Sequence, residues 1–186
     1  MQFSFSRFGD GELNCIFGKT GANCDGHIYF DDLGKALTKV WNNPRGIIAM
    51  QRYGYEMYKD RLGENYWADA DILHKSSING ELDKFCDTLY DRYVIMVGPQ
   101  HLEGLKWIDR MVYVPGKNAW KSYKGIKAII KSQLPIGSVV IYCCGMMAEV
   151  LIHDLFDPRI TQIDAGSVFD PYCGVKSRYY HHNLKL

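Results

Sequence analysis

A short run of charged residues and glycines near the start of the chain has the composition of a metal and phosphate site. The run Arg7-Phe8-Gly9-Asp10-Gly11-Glu12 places two carboxylates one residue apart, downstream of an arginine. Carboxylate oxygens are preferred ligands of Mg²⁺ and Mn²⁺, and Mg²⁺ usually takes further ligands from substrate phosphates. An arginine can hold a phosphate through two parallel hydrogen bonds. The pattern therefore predicts that Asp10 and Glu12 bind a divalent cation and that Arg7 binds an anionic substrate.

A structural interpretation of the same run is equally open from these six residues alone. Asp10 would then accept hydrogen bonds from the backbone of a turn, and Glu12 would begin a helix. Short motifs also recur by chance in unrelated chains. The elements around the run are needed to decide between the two interpretations.

Length, charge and cysteine content restrict the class of protein. The 186 residues suffice for one full core, and we expect a single domain over 1–186. With 22 basic and 21 acidic residues the net charge is +1, which gives no electrostatic reason to expect tight nucleic-acid binding. The six cysteines show no CxxC spacing, which favours free thiols in a reducing cytoplasm. No apolar run approaches the ~20 residues of a membrane-spanning helix, so we expect no membrane span.

Apolar runs alternate with helical patterns through the second half of the chain. The runs predict buried strands over 93–97, 111–114, 139–144 and 160–163, and apolar residues at helical spacing follow each of the first three. Short apolar strands alternating with helices are typical of βαβ units and a parallel sheet. The predicted fold class is α/β: a single-domain, Rossmann-like, mostly parallel sheet with helices on both faces.

The first half is predicted to add two strands and two helices to this sheet. Alternation over 2–6 and an apolar run over 46–50 predict the strands. Apolar residues at helical spacing predict helices around 33–41 and 82–90. The pattern over 55–71 is mixed, and we predict a helix followed by a loop there.

Two further stretches are candidates for contact with substrate. The stretch 18–26 is rich in glycine and small polar residues, which predicts a loop that could close over the site. Polar and aromatic side chains gather at Trp67, Asp69, Asp71 and His74, where they could line an acceptor site. The alternative is that Asp71 caps a helix and His74 lies on its surface.

Turns at the strand ends supply the remaining candidate ligands. Right-handed crossovers place every strand-to-helix turn on one edge of the sheet, where open α/β sheets bind ligands. Glycine there lets backbone N–H groups approach a phosphate, although it also ends strands for conformational reasons alone. The candidates are Gly98, Pro99, Asn118, Gly145 and Asp164. Asp164 could bind a ribose hydroxyl, support the cation or serve a structural role. No turn has the GxGxxG or Walker spacing, so we predict neither a standard dinucleotide site nor a Walker ATP site.

The acidic run resembles the Asp-x-Glu signature of the GT-D glycosyltransferases, a family first described as a domain of unknown function. Looser matches follow in the same order along nearly the whole chain: Val97-Gly98-Pro99, then Val114-Pro115 with Asn118-Ala119-Trp120, then Asp164-x-Gly166 with Asp170. The resemblance implies a metal-dependent enzyme that moves a sugar from a nucleotide-diphosphate donor, typically a UDP-sugar.

The resemblance also implies roles for individual residues. Asp10 and Glu12 would hold Mn²⁺ or Mg²⁺ against the diphosphate, and Arg7 would stabilise the charge that builds on the leaving phosphate. Family members carry a histidine after the Asp-x-Gly strand end, whereas this chain has Ser167, so Asp170 becomes the candidate base. The nucleotide-sugar donor would be cradled by Arg7, Gly9, Gly98, Pro99, Asn118, Gly145 and Asp164.

Two other functions are compatible with the sequence. A Mg²⁺-dependent phosphohydrolase would use an N-terminal aspartate, but its usual Asp-x-Asp-Gly motif is replaced here by Asp10-Gly11-Glu12-Leu13. A non-catalytic nucleotide-binding module would keep the sheet without needing the acidic pair. For a transferase, the acceptor stays open between a glycan, a glycoprotein and a modified nucleobase in DNA, as does the oligomeric state.

Overall fold

Seven strands form one sheet in which every neighbouring pair is parallel. The computed structural model describes residues 2–23, 25–62 and 67–184. The strands are β1 (Ser4–Phe8), β2 (Ile47–Met50), β3 (Trp67–Asp69), β4 (Val94–Gly98), β5 (Arg110–Tyr113), β6 (Val139–Tyr142) and β7 (Thr161–Asp164). Their order across the sheet is β3-β2-β1-β7-β6-β4-β5. The predicted α/β class with a parallel sheet is therefore confirmed.

Helices cover both faces of this sheet. They are α1 (Asp10–Ile16), α2 (Asp31–Asn42), α3 (Arg52–Leu62), α4 (Ile72–Ile78), α5 (Leu82–Asp87), α6 (Tyr123–Lys131) and α7 (Ala148–Asp154). Side chains of α1, α2, α3, α6 and α7 pack on one face, and those of α4 and α5 pack on the other. No helix in the described ranges is long and apolar enough to cross a membrane.

Burial on both faces explains why the strands are continuously apolar. In β4, Val94 and Met96 pack with the cluster under α4 and α5, whereas Ile95 and Val97 pack under α6 and α7. All four side chains are fully buried. A strand covered on both sides faces no solvent, so polar residues do not alternate with apolar ones and its sequence is a simple apolar run.

The sheet is extended in two directions from the neighbouring strands β1 and β7. Strands β2 and β3 extend the sheet on one side of β1, while β6, β4 and β5 lie beyond β7 on the other side. In open parallel sheets a crevice forms at such a point, at the carboxyl ends of the strands. The acidic run follows β1 and Asp164 ends β7, so both lie at this crevice.

Three predictions of local structure are wrong in detail. The helical spacing after β4 gives only a 3₁₀-helix over Gln100–Gly104, because Leu102 packs against Gly98 and the next strand begins at Arg110. The helix predicted around 82–90 ends at Asp87. Strand β3 was not predicted, since three residues at the sheet edge are too few to show a period; residues 63–66 before it lie outside the described part of the chain.

The close approach of α1 and α2 depends on a glycine. A Cβ atom at Gly34 would lie 2.5 Å from the Cys15 carbonyl oxygen, whereas a Cβ atom at Gly125 in α6 would meet nothing within 4 Å. We expect Gly34→Ala to lower the free energy of unfolding by roughly 1–3 kcal/mol through overpacking. Gly125→Ala should raise it by roughly 0.5–1 kcal/mol. Urea denaturation measures the free energy of unfolding of both variants. If Gly34→Ala stabilised the protein as much as Gly125→Ala, the close α1–α2 contact would be contradicted.

Candidate functional site

An open cleft of about 350 Å³ lies at the carboxyl ends of β1 and β7. Its floor comes from the residues that follow three strands: the acidic run after β1, Gly145 and Glu149 after β6, and Asp164 and Gly166 at the end of β7. Asn23, Asp25 and His27 line one wall, and Asp71, His74, Arg178 and Tyr180 line the other parts. The cleft therefore occupies the crevice that the strand order creates.

Arg7 is held in the cleft by contacts with three residues, which come from two segments of the chain. Its Nε donates to the Ala70 carbonyl oxygen at 2.8 Å, and its Nη2 lies 3.5 Å from Nε2 of His74. The third contact is with Gly166, where a Cβ atom would overlap Arg7 Nη1. The glycine of the Asp164-x-Gly166 strand end thus leaves room for the guanidinium group.

Glu12 is shared between the helix and the cleft. Its Oε2 accepts a hydrogen bond from the Gly9 backbone N–H at 2.8 Å, which caps the first turn of α1. Burial, and then the negative charge of Asp164, raises the pKa of Glu12 to about 7. Asp10 lies exposed in the same turn and also lines the cleft. The capping role predicted by the structural interpretation is present, and it uses one of the two Glu12 oxygens.

Asp164 and Glu149 add two buried carboxyl groups beside Glu12. Asp164 Oδ1 accepts from the Gly166 N–H at 2.9 Å. Burial raises the pKa of Asp164, although the positive charge of Arg7 opposes that shift. Burial, followed by repulsion from Asp164 and Glu12, raises the pKa of Glu149 well above its usual range. Three carboxyl groups therefore crowd one cleft, and each is pushed toward its protonated form.

The donor atoms of the cleft fit a divalent cation. No group of three or more His, Cys, Asp or Glu side chains in the described residues is arranged to enclose a metal ion. However, the buried Glu149 Oε2 has no hydrogen-bond partner there, and the surrounding ligand atoms are carboxylate oxygens. An oxygen-only set of few protein ligands suits Mg²⁺ or Mn²⁺ whose remaining ligands come from substrate phosphates and water.

Ten residues were predicted to bind the donor or the cation or to act as the base; six of them meet in this cleft, and four lie outside its lining. The lining residues are Arg7, Gly9, Asp10, Glu12, Gly145 and Asp164. Gly98 is buried against Leu102, with Pro99 immediately after it. Asn118 has a left-handed backbone, with φ 56°, and its Oδ1 accepts from the Ile28 N–H at 2.8 Å. Asn118 therefore anchors the loop of the neighbouring wall.

Asp170 lies away from the cleft lining and has other partners. Its Oδ1 lies 2.8 Å from Nε2 of His101, and its Oδ2 accepts from the Ser177 hydroxyl. Both carboxylate oxygens are therefore engaged in contacts that join three segments of the chain. Its predicted role as a base stays a prediction, and the structure supplies no contact with the cleft in its support.

The side chains predicted to meet an acceptor divide into two groups. His74 and Asp71 line the cleft, with His74 Nδ1 3.7 Å from Asp71 Oδ1. Burial, and then the charge of Arg7, lowers the pKa of His74 to about 3, so its ring is neutral and Nε2 can accept from Arg7. Asp69 forms an ion pair with Lys75 instead. The Trp67 side chain lies outside the described part of the structure.

Sequence reasoning missed Glu149 and the residues that approach from the chain end. Glu149 stands in the first turn of the helix α7, four residues after Gly145. An acidic residue in a mostly apolar helix was the signal in the sequence that could have found it. Arg178 forms an ion pair with Asp25 and so joins the C-terminal segment to the loop predicted over 18–26. Asn23 Oδ1 accepts from the Asp25 and His27 N–H groups in that loop, while Cys24 lies outside the described residues.

Comparison with known proteins identifies the fold. No protein-family model and no curated protein matches the chain. A solved structure of the domain of unknown function 1792 (DUF1792), described as having a distinct glycosyltransferase fold, superposes with a TM-score of 0.69 over 91% of this chain and 74% of its own, at 17% identity. A DUF1792 glycosyltransferase from Streptococcus sanguinis superposes with a TM-score of 0.67 over 91% of this chain and 77% of its own, at 15% identity.

The chain has the DUF1792 glycosyltransferase fold. The resemblance drawn from the acidic run is thereby confirmed at the level of the fold. At these identities the likeness concerns the arrangement of strands and helices, and the chemistry of the cleft has to be argued from its residues.

The contact between Arg7 and Gly166 can be tested with a double-mutant cycle. Gly166 and Gly174 both have a left-handed backbone, with φ +58° and +76°, but only a Cβ atom at Gly166 would meet another residue within 4 Å. Gly174→Ala should cost about 1–2 kcal/mol of stability from the backbone alone. Gly166→Ala should cost more, and the excess should vanish when Arg7 is also replaced by alanine. Equal costs in the wild-type background would contradict the contact.

The crowded carboxyl groups predict an unusual dependence of stability on pH. Because the folded pKa of Glu12 is about 7 and that of Glu149 is also raised, the folded state holds protons that the unfolded chain releases above about pH 4.5. The free energy of unfolding should therefore fall as pH rises from about 4.5 through 7. Glu149→Gln removes one of these groups, so its melting temperature at pH 8 should exceed that of the wild type.

An exposed glutamate provides the control for that measurement. Glu81→Gln changes the same chemical group at an exposed position outside the cleft and should leave the pH dependence unchanged. Melting curves from pH 4.5 to 8 compare the three proteins. Parallel curves for the wild type and Glu149→Gln would show that Glu149 does not carry the proposed repulsion.

Proposed function

We propose that the protein is a metal-dependent glycosyltransferase that moves a sugar from a nucleotide-diphosphate donor, a UDP-sugar being the first candidate. The observation that carries this proposal is the meeting of Glu12, Asp164, Glu149 and Arg7 in one cleft at the ligand edge of a glycosyltransferase fold. The donor and cation assignments are our inference from this chemistry.

The cleft is built to hold a complex with large opposing charges. The buried oxygen of Glu149 and the mutual repulsion of three carboxyl groups favour binding of a cation, and Asp10 adds a fourth carboxylate at the open side. Arg7 supplies two guanidinium N–H groups to an anionic ligand while its Nε stays bonded to Ala70. A diphosphate bridging cation and arginine matches this arrangement.

Sugar transfer makes one demand that these residues can meet. The bond between the anomeric carbon and the donor phosphate breaks with its electron pair going to the phosphate, so negative charge grows on the diphosphate. Mg²⁺ or Mn²⁺ held by Asp10 and Glu12 together with the substrate phosphates would supply Lewis-acid stabilisation of that charge. Arg7 stabilises the same charge through hydrogen bonds, and the neutral ring of His74 adds no competing positive charge beside it.

Ligand-dependent melting tests the site directly. We expect Mn²⁺ together with a UDP-sugar to raise the melting temperature by roughly 5 °C or more at about 100-fold excess over Kd. The paired change Asp10→Asn with Glu12→Gln should abolish the rise, because it removes both charges while the glutamine oxygen can still cap α1. The matched control is Asp31→Asn with Asp32→Asn, two exposed carboxylates at the start of α2.

The outcome separates the candidate functions. Loss of the shift in both paired variants would point to net charge and not to the cleft, and a full shift in the Asp10 and Glu12 variant would place the site elsewhere. Metal-dependent hydrolysis of one member of a UDP-sugar panel would support the transferase. Hydrolysis of p-nitrophenyl phosphate without any response to UDP-sugars would instead support a phosphohydrolase.

A further inference from the structure

A second concave surface, here called the aromatic groove, lies beside the cleft on the outer side of the sheet. It has a volume of about 660 Å³ and runs between the start of α2 and the start of α6. Its walls are formed by the rings of Phe30, Trp120 and Tyr123 together with Ile126 and Ile129. The three rings are half-buried and Ile129 is exposed, and a concave apolar surface rimmed by charges is typical of a binding site.

The aromatic groove lies next to the cleft. His27 and Met146 line the cleft and also a narrow gap of about 10 Å³ whose other side is formed by Phe30 and Trp120. Phe30 and Trp120 in turn line the aromatic groove. The two concave surfaces are therefore neighbours that are separated by these side chains.

The rings are arranged as a supported platform. Trp120 and Tyr123 are stacked with ring centroids 4.7 Å apart and planes inclined by 29°. Tyr123 is fixed at its far end, since its hydroxyl hydrogen-bonds to Asp154 and accepts from Lys127 at 3.2 Å. Trp120 and Tyr123 each cover one face of the other, and Nζ of Lys127 lies 5.5 Å from the centre of the Tyr123 ring. The part of Trp120 that lines the groove is therefore the surface available to the C–H face of a sugar ring, and a rigid aromatic ring offers that contact at low entropic cost.

The rim of the aromatic groove is positively charged. Lys121 and Lys124 line it and are exposed, and within the described chain neither has a carboxylate within 4.0 Å. Nζ of Lys121 lies 5.7 Å from the centre of the Phe30 ring. Asp32 is the single acidic residue of the lining, so the groove carries an excess of positive charge.

We propose that the aromatic groove binds an anionic oligosaccharide, a sugar chain bearing carboxylate or phosphate groups, as the acceptor of the transfer. This assignment of the acceptor rests on the proposed function. The cleft of about 350 Å³ lies near the small end of the ~300–1,000 Å³ typical of ligand pockets. With the proposed donor bound there, an acceptor must extend beyond the cleft. The part of Trp120 that lines the groove holds a sugar face, and Lys121 and Lys124 hold the anionic groups.

The test compares two disaccharides that differ in one carboxylate. Cellobiuronic acid and its neutral parent cellobiose are titrated into the full chain, and the indole N–H resonance of Trp120 is followed by NMR after assignment with Trp120→Phe. We expect both sugars to shift this resonance and the acid to bind at least roughly fivefold more tightly. The preference should shrink as salt is raised.

Charge variants and a nucleotide give the deciding comparisons. Lys121→Glu with Lys124→Glu should abolish the preference for the acid. The control Lys84→Glu with Lys106→Glu makes the same change in net charge at exposed positions outside the groove and should preserve it. UDP with Mg²⁺, which is diamagnetic and does not broaden nearby resonances, should leave the Trp120 resonance in place.

Four results would overturn the proposal. They are no shift with either sugar at millimolar concentration, equal affinity for the two, loss of the preference in the control pair, or a larger Trp120 shift with UDP than with the acid. The last would assign the groove to the donor. Melting with UDP and Mn²⁺ is measured on the same samples. If UDP and Mn²⁺ do not raise the melting temperature but the sugars still bind, the result counts against the transferase and not against the groove. If they raise the melting temperature but the sugars do not bind, the result counts against the groove alone.

Discussion

Repulsion among carboxyl groups at the carboxyl ends of β1 and β7 is the constraint on which the whole site depends. Glu12, Asp164 and Glu149 face one cleft. Burial raises the pKa of each, and the charge of Asp164 raises the pKa of Glu12 and of Glu149 further. Such crowding lowers the stability of the fold at neutral pH, because buried charges are poorly solvated. Strongly shifted pKa values gathered in a cleft mark functional sites more often than structural ones. A bound cation would offset the repulsion, so the same crowding that lowers stability would favour binding of a cation.

The surrounding structure holds the guanidinium group of Arg7 beside these acids. Arg7 is bonded to Ala70, approaches His74 and packs on Gly166, so two segments far apart in the sequence fix its position. Burial, and then repulsion from Arg7, lowers the pKa of His74. A neutral imidazole can accept a hydrogen bond from the arginine, whereas an imidazolium cannot. The acids and the arginine therefore depend on each other for position and for charge.

The sequence allowed the sheet and half of the site to be predicted, for reasons that are physical. A strand buried on both faces leaves an apolar run, and residues that follow such runs must meet at one edge, which brought Asp10, Glu12 and Asp164 together correctly. Glu149 was missed although it is an acid in a mostly apolar helix, because its burial comes from the packing of α7 against β1 and β7, which are distant in the sequence. Asp170 was placed near the edge by its position in the chain, but its hydrogen bonds to His101 and Ser177 are long-range contacts that no local pattern records.

The cleft and the aromatic groove are built by different parts of the chain. The cleft is made at strand ends, where the sheet fixes backbone position, and this sheet superposes on DUF1792 structures at only 15–17% identity over 91% of the chain. The aromatic groove is made by Phe30 before α2 and by the segment from Trp120 into α6, which the sheet does not constrain in the same way. Side chains there can change without moving the carboxylates or Arg7. A fold of this kind can therefore keep one donor chemistry while the surface beside it sets which acceptor is bound.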